Sequence, residues 1–264
     1  MAIARPEWRN RKIGTKAAGY KQSNKMTIPQ SWLDRDGSRR HYATRMGPHQ
    51  TIKYELPAGS LTFLHEPPRS GCSYCCSPED IAYVLAHIPG SDLEGLNIIA
   101  FRQPTRKQAL LNPTWGRLFY YANFQSHNGP AVIIEATDLS RPIRWSRKLS
   151  PEHQTELDRL RKDGHRIEED KRGFTIRLTE ASVRQTILYR TLLHEVGHWV
   201  DWLTKVERPP NGDMDQHFAR PASEREAFAH AYADRIAESL RNEAVIPFPP
   251  LEKADPEIKS KGTD

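Results

Sequence analysis

The pattern His194-Glu195-Val196-Gly197-His198 constrains the fold of this chain more than any other feature. Residues four apart lie one turn above each other on a single face of a helix, so both histidines share a face if this segment is helical. Apolar residues recur around the pattern at helical spacing: Leu188, Leu192, Val196, Trp199 and Leu203. The spacing predicts a helix near residues 180–205 that turns its histidines to one side and packs its apolar stripe against a sheet.

Two histidines one turn apart can reach one tetrahedral zinc ion. The alternative is an amphipathic helix with two incidental histidines. A catalytic zinc needs a third protein ligand and an open coordination position. Asp201 and Thr204 occupy the places at which a His-x-x-Gly-x-x-His continuation would have its glycine and third histidine. The third ligand is therefore expected from a residue further along the chain.

A second helix, predicted near residues 222–241, carries two glutamates that compete for this role. Glu224 and Glu226 point about 160° apart on a helix, so only one of them can face the metal. Glu226 has Ala229 and Ala233 beside it, and these small residues would let two helices approach closely. We therefore expect Glu226 to be the ligand.

Two neighbours of Glu226 bear on this assignment. His230, one turn further on, is placed to orient a ligand. Ser223-x-x-Glu226 also matches a capping box, which leaves a purely structural role for Glu226 open. Gly197 costs about 1 kcal/mol relative to alanine in a helix interior, and a close approach by another backbone would account for it.

Here the sequence resembles a known family. His194-Glu195-x-x-His198 followed by Glu226-x-x-Ala229 is similar to the gluzincin zinc peptidases, and especially to the compact ImmA/IrrE-like and anthrax-lethal-factor-like domains. In those domains the glutamate helix often reads Glu-aromatic-aromatic-Ala-Glu-Ala-Phe, and residues 226–232 follow that shape. The departure is His230, where an acid or asparagine is usual. The resemblance covers roughly residues 75–245.

The resemblance implies an α+β fold, with a compact zincin-like domain that has a small mixed sheet and two metal-bearing helices. It also implies a zinc metallopeptidase that acts on a protein or peptide substrate. Zn²⁺ would be held by His194, His198 and Glu226 and would carry a water molecule. Glu195 would act as the general base that takes a proton from this water and later delivers it to the leaving amine.

The same mechanism calls for a donor to the oxyanion and for a surface that binds substrate. The candidates for the donor are His217, Tyr232 and Tyr189. An extended substrate would pair with a strand at the edge of the sheet. Residues 116–123 and 131–137 are the candidate strands.

Composition and the positions of proline residues divide the chain into three parts. Apolar residues make up 37% of the chain and prolines number 20, which indicates one modest core with flanking segments. We expect a basic and partly irregular N-terminal extension over residues 1–70, a zincin-like domain over 71–246 and a Pro-rich polar tail over 247–264. Strands are predicted at 51–56, 60–65, 96–102, 116–123, 131–137 and 174–178, and helices after Ser77 and Ser150. A turn is predicted at Asn128-Gly129-Pro130.

The positive charge of the chain is concentrated near its start. Residues 1–50 hold 11 Lys/Arg and 3 Asp/Glu, whereas the remainder holds 28 and 30. A basic segment of this kind could bind a polyanion or nucleic acid, or it could be a solvated extension. The alternative function is therefore a zinc-binding regulatory or nucleic-acid-associated protein without proteolytic activity. Trp115, Tyr120 and Tyr121 could stack on bases, or could simply pack as strand aromatics.

Cysteine usage and hydropathy indicate a compartment. Cys72, Cys75 and Cys76 are too few for a disulfide framework. They form half of a zinc site that His65 or His87 could complete, and the alternative is a set of incidental thiols. No apolar run approaches the ~20 residues of a membrane helix, and the first residues lack the apolar core of a signal peptide. We expect a cytoplasmic protein with no membrane partner.

Overall fold

The computed structural model describes residues 28–34, 37–57 and 59–251, and their fold is α+β, as predicted. The strands are β1 Ser31–Leu33, β2 Arg39–His41, β3 Gln50–Leu56, β4 Gly59–His65, β5 Cys72–Ser73, β6 Ile98–Arg102, β7 Gly116–Asn123, β8 Asn128–Glu135, β9 Thr137–Asp138, β10 Ile143–Ser146, β11 Arg166–Asp170 and β12 Gly173–Arg177. The helices are α1 Pro78–Ala86, α2 Arg106–Leu111, α3 Pro151–Lys162, α4 Glu180–Thr186, α5 Leu192–Trp202, α6 Met214–Ala219 and α7 Ala222–Asn242.

A mixed five-stranded sheet forms the centre of the fold, in the order β3-β4-β6-β8-β7. β4, β6 and β8 run parallel to one another, and β3 and β7 add antiparallel strands at the two ends. Of the two strands expected at an edge, only β7 lies there. β8 is bonded on both sides, so the expectation for residues 131–137 was wrong. The turn expected at Asn128-Gly129-Pro130 was also wrong, because Asn128 already pairs with Asn123 inside the β7–β8 ladder.

One face of this sheet packs against the helices. The helical path from Glu180 to Glu207 passes through α4, a π-helical segment at Ile187–Thr191, α5 and a second π-helical segment at Leu203–Glu207. The predicted apolar stripe of this path is at most 3% exposed at Leu188, Leu192, Val196, Trp199 and Leu203. It joins a core with α1, α7 and the sheet residues Phe63, Phe101 and Val132. The predicted helix and its buried stripe are confirmed.

The opposite face of the sheet is covered by the described part of the N-terminal segment. Leu64, Ile98 and Ile133 point to this face and pack with Met46 and Phe119. The Arg45 carbonyl accepts a hydrogen bond from Nε of the fully buried Arg102 at 3.0 Å. An apolar sheet face needs such a cover because exposing it to water is costly.

This arrangement corrects the expected boundary of the basic extension. β1 and β2 form a hairpin, and β3 and β4 belong to the central sheet, so a division at residue 70 would cut the sheet. Three-residue strands such as β1 and β2 are too short to show periodicity in the sequence. Residues 1–27 of the extension and 252–264 of the predicted tail lie outside the described residues.

A smaller antiparallel sheet, β10-β12-β11, packs with α3 beside the helical face. Arg190, between α4 and α5, joins α3 to this helical path by donating to Glu156 at 2.8 Å and to Asp163 at 2.7 Å. None of the described helices is long and apolar enough to cross a bilayer.

α5 and α7 touch at Gly197, which permits a test of the helix packing. A Cβ at this position would lie 2.9 Å from both Cα and the carbonyl oxygen of Ala229, and 3.2 Å from Cβ of Tyr232. Gly197→Ala should therefore destabilise the protein by about 1–3 kcal/mol through overpacking, as measured by urea unfolding. In a helix without this contact the same change would stabilise by about 1 kcal/mol, so a gain in stability would contradict the packing.

Candidate metal centre

The close contact of α5 with α7 brings together three side chains that could bind a metal ion. His194 Nε2 lies 3.2 Å from Glu226 Oε2, and His198 Nε2 lies 3.5 Å from Glu226 Oε1. Each residue offers one ligand atom, and these three atoms all lie within 4.8 Å of one another. The residues expected to hold a metal are thus assembled in one place.

The donor set and its spacing fit a zinc ion. With zinc–ligand distances of about 2.0–2.2 Å, two ligands of a tetrahedral ion are separated by roughly 3.4 Å. The two distances from imidazole nitrogen to carboxylate oxygen fall on either side of this value. Two imidazoles and a carboxylate are also ligands that zinc accepts, with a fourth position left for water or substrate.

The electrostatics of the cluster keep the glutamate ionised. Hydrogen bonds from His194 and His198 hold the pKa of Glu226 well below its ordinary value, although burial opposes this. Burial lowers the pKa of His198, but the hydrogen bond to Glu226 and the charge of Glu195 outweigh it, and the net pKa is raised. A carboxylate that stays ionised beside two imidazoles is suited to a cation.

Glu195 lies beside this cluster but is not a member of it. Its Oε2 accepts a hydrogen bond of 2.7 Å from the backbone N–H of Leu118 on β7, and the residue is 8% exposed. β7 is bonded to β8 on its other side, so this N–H belongs to the open edge of the sheet. The carboxylate of the predicted general base is therefore anchored to the edge strand.

Glu224 points away from the cluster, as expected. The Arg220 guanidinium donates to Glu224 Oε1 at 2.8 Å and also to both carboxylate oxygens of the buried Asp201. Pro221 is the N-cap residue of α7, and no side chain makes a capping hydrogen bond there. The capping-box alternative for Ser223 and Glu226 is therefore not realised.

His230 contacts the cluster through its ring. Its centroid lies 4.3 Å from that of His194, and its Nε2 lies 3.0 Å from Arg159 Nη1 on α3. Burial, His194 and Arg159 lower the pKa of His230 to about 4, so the ring is neutral near pH 7 and Nε2 accepts from the guanidinium. His230 is thus placed to hold the His194 ring in position.

The candidates for the oxyanion donor are separated by the structure. Tyr232 donates its hydroxyl hydrogen to Asp92 at 2.9 Å, and Tyr189 Oη accepts from the Phe248 N–H at 3.0 Å. Both hydroxyls are therefore engaged elsewhere, which corrects the expectation for Tyr232. His217 is 2% exposed, and neither ring nitrogen has a hydrogen-bond partner in the described part of the chain.

Tyr120 lies near the candidate metal centre, a place that the sequence did not indicate for it. It follows Leu118 by two residues on β7, and its ring lies 6.0 Å from that of His217. Burial raises the pKa of Tyr120 to about 12; Arg225 opposes the rise, and Asp201, Glu195 and Glu226 add to it. Residues two apart on a strand lie on the same side, so Tyr120 follows Leu118. The contact of Leu118 with Glu195, which places that side at the site, has no signal in the sequence.

The cysteines do not assemble a second ligand set. Within the described ranges, His194, His198 and Glu226 are the one group of at least three His, Cys, Asp or Glu residues that could hold an ion. Burial raises the pKa of Cys75 to about 11 and that of Cys76 well above its ordinary value. Burial therefore disfavours the thiolate form that a metal ligand requires.

No protein-family model matches this chain, and searches of curated proteins and of solved structures also found no match.

The two glutamates of α7 provide a matched test of the ligand set. Glu226→Gln should lower zinc affinity by at least about 100-fold, because it removes the anionic ligand, whereas Glu224→Gln removes only a partner of Arg220. The measurement is competition with a chromophoric chelator. Equal zinc affinities in the two variants would rule out Glu226 as a ligand.

The stoichiometry of bound metal tests the cysteines. The purified protein should contain about one zinc per chain, and the double variant Cys72→Ser/Cys75→Ser should still contain one, because no described group of three ligand residues includes a cysteine. Elemental analysis of both proteins decides this. A second zinc that disappears in the double variant would show that the cysteines form a site.

Proposed function

We propose that this protein is a zinc-dependent peptidase of the gluzincin kind, built on a zincin-like α+β domain. The observation that carries the proposal is the convergence of His194, His198 and Glu226 at the spacing of a tetrahedral zinc ion. A further support is Glu195, whose carboxylate is held beside the three ligands by the backbone of an edge strand.

Bound zinc would supply an activated water molecule and would polarise the scissile carbonyl. Glu195 provides the base for this water. Its Oε2 is engaged by the Leu118 N–H, whereas no described residue donates to Oε1. Oε1 is therefore the atom that accepts the proton and then delivers it to the nitrogen of the leaving amine.

The open edge of β7 supports a polypeptide as substrate. An extended peptide can add a strand to an exposed sheet edge through main-chain hydrogen bonds. β7 runs past Glu195, so a peptide on this edge would have its backbone next to the base and to the three ligands. The hydrogen bond at Leu118 fixes where along the edge the scissile bond would lie.

Three side chains hold the ligands in place. Arg159 donates to His230, and the His230 ring covers His194. Arg190 connects α3 to the helical path of the motif through Glu156 and Asp163. Partners of this kind orient metal ligands and raise affinity.

The alternative is a zinc-binding regulatory or nucleic-acid-associated protein. The observation that favours it is the charge of residues 1–27, which hold 7 Lys/Arg and 1 Asp/Glu. Such a segment binds polyanions by releasing their counterions. For either function we propose a cytoplasmic location, because all three cysteines are free and reduced thiols persist there.

Glu195→Gln separates the two functions. The change preserves volume and all three ligands, so the variant should keep its zinc and its unfolding midpoint. A peptidase should lose activity by about 10²–10⁴-fold, measured on a mixture of unfolded protein substrates by mass spectrometry. Full cleavage activity in the variant would refute the assigned role of Glu195.

Removal of residues 1–27 is the complementary variant. It leaves β1 and the rest of the described structure intact. If the protein acts on nucleic acid, this truncation should weaken retention on a polyanion column at two salt concentrations while Glu195→Gln binds as the wild type does. If the protein is a peptidase, Glu195→Gln should lose cleavage activity, whereas the truncated protein should keep it.

A further inference from the structure

A cluster of partly exposed aromatic side chains lies beside the metal centre. Tyr121 on β7 and Phe218 on α6 are 68% and 43% exposed. Both contact the buried Trp202, with ring centroids 5.9 and 5.7 Å away, and Tyr120 lies 5.6 Å from Phe218. Large apolar groups that remain exposed together on one surface are typical of a binding site.

Arg225 is a cation without a counter-ion at this surface. Its guanidinium lies 5.5 Å from the centre of the Phe218 ring, and its buried Nε has no hydrogen-bond acceptor. No carboxylate in the described ranges forms an ion pair with it, whereas Arg220 on the same side of the molecule has both Asp201 and Glu224. A partly buried guanidinium with an unused donor has a fork that matches a carboxylate.

The position of Arg225 connects this surface to the metal centre. Arg225 directly precedes Glu226 on α7, and the Phe218 ring lies 5.5 Å from the Arg225 guanidinium and 5.6 Å from the ring of Tyr120 on β7. Tyr120 lies two residues from Leu118, which is about 7 Å along a strand. A peptide paired with β7 would therefore reach the cation one or two residues from the reacting bond.

We propose that Arg225, Phe218 and Tyr121 form a subsite for an acidic side chain of an extended polypeptide. This inference rests on the proposed function and deepens it by naming a substrate class. β7 continues to Asn123, beyond the subsite, so the carboxylate belongs to an internal Asp or Glu rather than to a chain terminus. The guanidinium binds the carboxylate, and the two rings cover the methylene stem and the neighbouring apolar side chains.

The experiment measures binding in the Glu195→Gln protein loaded with zinc, so that no cleavage intervenes. The probes are fluorescein-labelled, C-terminally amidated octapeptides of alanine and phenylalanine, in which one Glu is moved through the sequence. Each has a matched peptide with Gln, and a free-acid Gln series presents a terminal carboxylate. Fluorescence anisotropy gives the Kd values.

In at least one register, the Glu peptide should bind about tenfold more tightly than its Gln match, as expected for a charge-assisted hydrogen bond. Arg225→Gln should abolish this preference, and Arg225→Lys should keep part of it. Arg235→Gln is the matched control, because Arg235 also lies on α7 with its guanidinium 5.1 Å from an aromatic ring, that of Tyr232. The control should leave the preference unchanged.

Absence of a Glu preference in every register, or a preference that survives Arg225→Gln, would overturn the subsite. Tighter binding of the free-acid series alone would overturn the assignment to an internal residue. Failure of the peptidase proposal would look different, because cleavage by the wild type would be absent or would persist in Glu195→Gln. Zinc content and urea unfolding of each Arg225 variant show that the protein is folded when it is assayed.

Discussion

The contact between Gly197 and Ala229 is the constraint on which the rest of the site depends. At this point two helix backbones approach so closely that a methyl group on Gly197 would collide with Ala229. Only this approach allows the carboxylate of Glu226 to reach both imidazoles of α5 at 3.2 and 3.5 Å. A wider separation of the helices would leave two histidines on one helix and an acid on another, without a common point between them.

The second determinant is how the motif helix lies against the sheet. α5 buries its stripe on the sheet, and this brings Glu195 to the edge strand, where the Leu118 N–H binds it. Glu195, the three candidate ligands and the edge strand β7 then lie together. The same edge carries Tyr120 and Tyr121 towards α6 and Arg225. In the proposed function, chemistry and substrate selection would therefore use one strand.

Much of the local structure could be predicted from the residues. α1 and α3 begin directly after Ser77 and Ser150, as expected, and β3 and β4 cover the segments predicted at 51–56 and 60–65. The errors concern strand order and neighbours. The alternation of apolar and polar residues indicates that a strand has a buried face. It does not indicate whether the strand lies inside the sheet, as β8 does, or at its edge. The hydroxyl of Tyr232, one of the candidate donors, binds Asp92, which is 140 residues away along the chain, so no local pattern indicates this contact.

The residues alone established an amphipathic helix with paired histidines and selected Glu226 over Glu224, since helical spacing and side-chain size act locally. They could not place Leu118 against Glu195, Arg159 against His230 or Arg225 beside Phe218. Each of these contacts joins elements whose relative position depends on how the helices and strands pack together. The candidate metal ligands can therefore be identified from the sequence. The groups that would position them and select a substrate are brought together only by the packing of the sheet and the helices, because contacts between distant elements leave no periodic pattern in the sequence.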